Sequence, residues 1–203
     1  MKGYSQWLTP TGNRAAIGGI LACALIFHGC NPEKRLERTI KNQLETGVRN
    51  DSLFLGLEFG MSFDQFYDHC WELNRQGIVK EGAQNMSVQY IFKDSLDNPI
   101  AFDFYGHRNE DGDSLIHQYN TTFYYYAWAL NRHLYADNLI KMLKPILMDW
   151  YGGNDFFAVE QEGKVHLYKI DGNRMIDMFI YSESTVIATF TDLSHKYNTE
   201  QKQ

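Results

Sequence analysis

The chain has 203 residues, 44% of them hydrophobic and 15% aromatic, with 19 basic and 25 acidic side chains for a net charge of −6. Its length suits one domain or two small modules. The acidic balance argues against a nucleic-acid partner, because phosphate binding needs a basic face.

The first stretch to read is N-terminal. Lys2 and Arg14 precede an almost uninterrupted apolar run over 15–27, which stops at Gly29-Cys30 before the polar Asn31-Pro32-Glu33-Lys34-Arg35. A bilayer span needs about 20 apolar residues, and this run is shorter. It therefore predicts a signal peptide over 1–29 rather than a membrane helix. No later stretch is apolar enough to span a bilayer.

Phe27-His28-Gly29-Cys30 resembles the lipobox of bacterial lipoproteins, in which a small residue precedes the cysteine that becomes diacylated and N-terminal. The resemblance implies export and a lipid anchor (palmitate or a similar acyl chain) at Cys30. The protein would then be tethered on the periplasmic side or at the outer membrane. An ordinary secretory peptide, or an uncleaved anchor with Cys30 incidental, is the alternative. Maturation at Cys30 removes Lys2 and Arg14 and leaves 17 basic against 25 acidic residues, about −8. Cys23 leaves with the leader, so Cys70 stands alone and no internal disulfide is expected. Stability must come from burial, and Cys70 reads as a small core residue.

Residues 30–52 form the expected tether. Leu36, Ile40, Leu44 and Val48 recur every four residues among charged neighbours, a narrow apolar stripe on a helix. Such a helix would be a solvated stalk, would dock on the domain, or would lie along headgroups.

The domain is expected over 53–193. Ser62 with Gln65 is a capping box, and Met61 with Phe66 is a hydrophobic staple. Phe63, Phe66, Tyr67, Cys70 and Leu73 share one helical face, and Gly77 ends the helix. Strands follow over 88–93, 100–105 and 115–126, separated by segments rich in Asn, Asp, Gly and Pro. A second helix is expected from about Asp137 to Trp150, kinked at Pro145 and stopped by Gly152-Gly153. An antiparallel meander then runs over 156–161, 164–170, 173–181 and 185–190, with Asp171-Gly172 as a hairpin turn. Residues 194–203 read as a polar tail that need not be ordered.

The arrangement is helix plus meander twice, in units of about 53–128 and 137–193. Each helix has one apolar face and each meander needs one face covered, so the fold class is α+β with helices on antiparallel sheet. Gly60-Met61-Ser62-Phe63-Asp64-Gln65-Phe66 is similar to the opening of small envelope lipoproteins of the BamE (SmpA/OmlA) type. Those are helices on a three-stranded meander that scaffold outer-membrane protein assembly. β-Lactamase inhibitor proteins use a related tandem layout, and the chain has the general look of exported lipoproteins from Bacteroidota. The resemblance implies the fold and a binding module, and carries over no functional residue.

Catalytic and metal chemistry is poorly supported. His69 and Cys70 are helix neighbours about 100° apart, so they are not set for proton transfer. His107, His117, His133 and His166 lack zinc spacing, although His107 and His117 could meet across a hairpin with Asp111 or Asp113. No phosphate loop, dinucleotide fingerprint or nucleophile elbow occurs, so no cofactor is expected.

The segment Thr122-Phe123-Tyr124-Tyr125-Tyr126-Ala127-Trp128 is the candidate binding site. Alternation in a strand sets Phe123 and Tyr125 against Tyr124 and Tyr126. One pair would fill the core while Tyr124, Tyr126 and Trp128 form an exposed platform for a protein or a sugar. Burial on both faces, or rings lying over core edges, is the alternative. The leading expectation is a membrane-tethered, non-catalytic binding or scaffolding lipoprotein acting on an envelope protein. An inhibitor or immunity lipoprotein and a carboxylate-based glycan hydrolase are the rivals.

Overall fold

A computed structural model describes residues 32–82, 86–92, 98–108, 114–126 and 132–200. The leader, Cys30, Trp128, Asp111 and Asp113 lie outside the described residues. The fold is α+β, and the described residues form four α-helices and one eight-stranded antiparallel sheet. In chain order these are α1 (Pro32–Glu45), α2 (Phe63–Arg75), β1 (Val79–Glu81), β2 (Val88–Phe92), β3 (Ile100–Gly106) and β4 (Gln118–Tyr125). Then come α3 (Ala136–Tyr151), β5 (Phe157–Gln161), β6 (Lys164–Asp171), β7 (Arg174–Ser182), β8 (Thr185–Asp192) and α4 (Leu193–Glu200). The strand order is β1-β2-β3-β4-β8-β7-β6-β5, so two four-stranded runs meet where β4 pairs antiparallel with β8.

Turn chemistry sets the registers of the second run. Glu162 and Gly163, both at positive φ (51° and 75°), form the two-residue loop between Gln161 and Lys164. That is the backbone whose twist suits a tight hairpin. Asp171 pairs with Arg174, so the next loop is Gly172-Asn173, one residue later than Asp171-Gly172. The shift has a cause. Gly172 meets the backbone oxygen of Val48 so closely that a Cβ would lie 2.2 Å from it, and the Asn173 amide donates to that oxygen at 3.2 Å. The strand expected from 115 begins only at Gln118, because Ile116 bonds the loop before α2 instead: its oxygen accepts from the Gly60 N–H and its N–H donates to the Met61 oxygen, both at 2.8 Å. β1, three residues long, carried too little alternation to be read from the sequence.

α2 is terminated at both ends as its sequence requires. Gln65 N–H donates to Ser62 Oγ at 3.1 Å, and the Ser62 N–H donates to Gln65 Oε1 at 2.8 Å. At the other end Ile78 N–H reaches Leu73 O and Gly77 N–H reaches Asn74 O, a Schellman closure around Gly77 at φ +70°. α3 continues through Pro145 to Tyr151 and stops at Gly152.

One face of the sheet holds the main core. Phe102, Phe104, Tyr119, Phe123, Ile176, Met178, Val186, Ala188 and Phe190 point into it, against α2, α3 and the 53–59 loop. Phe54 from that loop meets Phe102, Phe104 and Phe190 edge-on at 5.1, 5.1 and 5.3 Å. It thereby bridges strands from both halves of the sheet.

α1 is docked rather than a free stalk. Ile40 is buried with Ile170 and Leu193, flanked by Leu36, Leu44, Phe157 and Met175, on the face of the sheet opposite the main core. Its exit is fixed by polar contacts: Arg49 bonds Asp51 at 2.7 Å, and Asn173 donates to both Asp51 and Asp192. The segment from 194 is not a structureless tail, since α4 runs to Glu200. Leu193 is fully buried, and the His195 ring stacks on His117 at 3.5 Å. Those contacts override the low apolarity that made the segment look unstructured. Among the described residues, no helix is long and apolar enough to cross a membrane.

Candidate binding face

Because sheet side chains alternate, the strands that fill the core on one side present a second set on the other. Along β4 and β8 buried residues alternate with half-buried ones, so this second face is only partly covered. The registers align one row across seven strands: Lys80, Gln89, Asp103, Thr122, Ile187, Phe179 and His166. At about 4.8 Å per strand the row is roughly 29 Å wide. α1 covers the end beyond it, where Phe157 and Ile170 lie. The rest carries Tyr105, Tyr126 and Tyr181 exposed at 43%, 52% and 61%.

The alternation expected at 123–126 is what the fold displays. Phe123 is in the core and Tyr125 packs against it, while Tyr124 and Tyr126 belong to the open side. Tyr124 is half-buried, and its hydroxyl donates to Asp103 Oδ1 at 3.1 Å. Gln89 Nε2 donates to the same carboxylate oxygen at 2.9 Å and also reaches the Tyr124 hydroxyl. Burial, then the Asp103 charge, pushes the Tyr124 hydroxyl up to about 12. Tyr126 accepts a hydrogen bond from Lys80 at 3.2 Å, and the Lys80 ammonium lies 5.0 Å from its ring centre. Gln89, Asp103 and Lys80 did not stand out in the sequence. The available signal was a lone Asp inside the apolar run Ile100-Ala101-Phe102-Asp103-Phe104.

At the far end of the row stands a pair the sequence did not bring together. His166 Nδ1 donates to Asp177 Oδ1 at 2.8 Å, an assignment fixed by a carboxylate's ability only to accept. The His166 ring stacks on Phe179 at 4.5 Å, and Lys164 lies over Phe179 and Tyr181. Burial raises the Asp177 carboxyl above its ordinary range, with the His166 bond and charge and a Tyr168 bond pulling the other way.

On the core side, a cavity of about 780 Å³ opens between α2 and β1–β3, lined by Phe63, Phe66, Cys70, Trp71, Val88 and Phe104 among others. Cys70 is buried there, and burial pushes its thiol up to about 12, which removes thiolate character at neutral pH. His69 is half-buried, with Nε2 on the Leu55 oxygen at 2.7 Å, so it does not serve Cys70. His117 turns to His195 and Asp192 instead of His107. Among the described residues no group of three or more His, Cys, Asp or Glu is placed to hold a metal ion.

No protein-family model matches the chain, nor does any curated protein or solved structure. Any functional reading therefore stands on the geometry of these faces.

Proposed function

We propose that the chain is an exported lipoprotein, anchored to the membrane through Cys30, that acts as a non-catalytic protein-binding or scaffolding module of the envelope. In this reading the partner docks on the open sheet face around Tyr124 and Tyr126. The observation that carries it is the half-wet row from Lys80 to His166, bordered by three exposed tyrosines on a rigid sheet. The usual share of one partner in a specific complex is about 800 Å², or roughly 28 Å across, which the row matches. Tyrosines are favoured where binding energy concentrates.

Non-catalysis is supported by the carboxylates of that face. Asp103 on β3 and Asp177 on β7 are three strand spacings and two residues apart, roughly 16 Å. Glycosidase pairs need about 5 Å or 6.5–9.5 Å. The proposal also takes the body as two tandem helix-plus-meander units, α2 with β1–β4 and α3 with β5–β8, joined at β4 and β8.

The test is radioactive fatty-acid labelling with cross-linking and capture in intact cells, comparing the native chain with Cys30→Ser. Labelling lost in Cys30→Ser, with one dominant envelope partner captured by the native chain alone, is expected. An exported enzyme as that partner would make the module an inhibitor. Labelling that persists in Cys30→Ser, or no partner above background, would contradict the proposal.

A further inference from the structure

We infer that the corner built by Gln89, Asp103, Tyr124 and Tyr126 receives the guanidinium of an arginine on the docked protein. The inference rests on the docking reading above, and the corner offers more acceptors than donors. Asp103 is a half-buried carboxylate whose hydrogen bonds come from the Gln89 amide and the Tyr124 hydroxyl, both neutral. Among the described residues no cation pairs with it. Lys80, the basic residue of the same row, directs its ammonium to the Tyr126 oxygen and ring.

Gln89 is only 9% exposed, and its Oε1 has no donor. Turning the amide over gives no relief, because its oxygen would then face the Asp103 carboxylate. The corner thus holds a negative charge without a counter-ion and a buried acceptor without a donor. Beside them stands the exposed ring of Tyr126.

A guanidinium answers the charge and the ring, while the Gln89 oxygen, itself buried, stays out of its reach. It brings a permanent charge, five N–H donors in one plane, and a flat face that stacks on aromatic rings. It takes the place of the exposed Lys80 ammonium over Tyr126. A sugar would bring donors but leave Asp103 without a counter-charge, and an anionic group would be repelled by it.

The test is an NMR titration of the isotope-labelled full chain with Nα-acetyl-arginine methylamide. Two controls are the citrulline analogue, which has the same shape without charge, and a methyl glucoside. The arginine probe is expected to shift the Gln89 side-chain amide and the Tyr124 ring signals saturably. Asp103→Asn should weaken it about tenfold, the loss expected for one charge-assisted hydrogen bond. Citrulline should produce no saturable shift. Equal shifts from citrulline, unchanged affinity in Asp103→Asn, or shifts from the glucoside alone would overturn the inference.

Should Asp103→Asn fail to fold, the exposed Tyr126→Ala variant must show at least a threefold loss, and unchanged affinity there would also overturn it. The two readings can fail separately. A partner captured at full yield by Asp103→Asn removes the arginine corner and leaves the docking face. Arginine binding at this corner in a chain that captures no partner removes the docking face alone.

Discussion

Replacing Lys169 by Met is expected to cost about 3–5 kcal/mol, the range for orphaning one member of a buried ion pair. Lys169 has no exposed side-chain surface, and its ammonium lies 2.6 Å from Asp171, whose side chain is 10% exposed. The same ammonium donates to the Gly152 and Asn154 oxygens, the latter at 2.7 Å, just past the end of α3. Asp171 in turn accepts from the Asn154 amide at 2.7 Å. One cation therefore pins the end of α3 and the approach to β5 onto β6. Methionine keeps the length of the stem but leaves a buried carboxylate without its counter-charge. A domain of this size is typically stable by about 5–15 kcal/mol, so the variant approaches unfolding. Its Tm should fall by roughly 6–20 °C. Urea and thermal melts followed by circular dichroism read both quantities. The double variant Lys169→Met/Asp171→Asn should recover part of the loss, since position 171 no longer carries a charge. A single variant losing under about 1 kcal/mol, or a double variant no better than the single, would refute the reasoning.

Phe54→Ala removes the ring that meets Phe102, Phe104 and Phe190, and a loss of about 3–5 kcal/mol in chemical denaturation is expected. A loss below about 1 kcal/mol would mean that the core closes without it. Glu162 holds φ at +51°, which costs an L-residue about 1–2 kcal/mol that asparagine partly recovers. Glu162→Asn should therefore raise Tm by roughly 1–3 °C, and a fall would argue against this turn geometry. Burial raises the folded-state pKa of Asp177, so its contribution is most favourable below the unfolded value of about 3.9 and is lost as pH rises through the folded pKa. Asp177→Asn should gain stability relative to the native chain over that interval, and urea melts across it showing the opposite slope would contradict this.

Elements with strong local signals were legible in the sequence. The capping box of α2 and the apolar periodicity of α3 needed no tertiary information, and six of the strands lay within about two residues of their observed ends. Where the reading slipped, distant contacts were responsible. The 172–173 turn is fixed by Val48, the late start of β4 by the 60–61 loop, and the order of α4 by Leu193 and His195 packing on remote residues. The two faces of 123–126 followed from period two. Gln89, Asp103 and Lys80 come together only through cross-strand register, which single-strand patterns do not encode.

The most direct test of docking on the open face is site-specific photo-cross-linking in intact cells. A photoreactive residue at position 122, in the middle of the row, is compared with one at position 142, exposed on α3. One dominant envelope-protein adduct from position 122, absent from position 142, is the expected result. No adduct from position 122, or the same adducts from both positions, would contradict docking on this face.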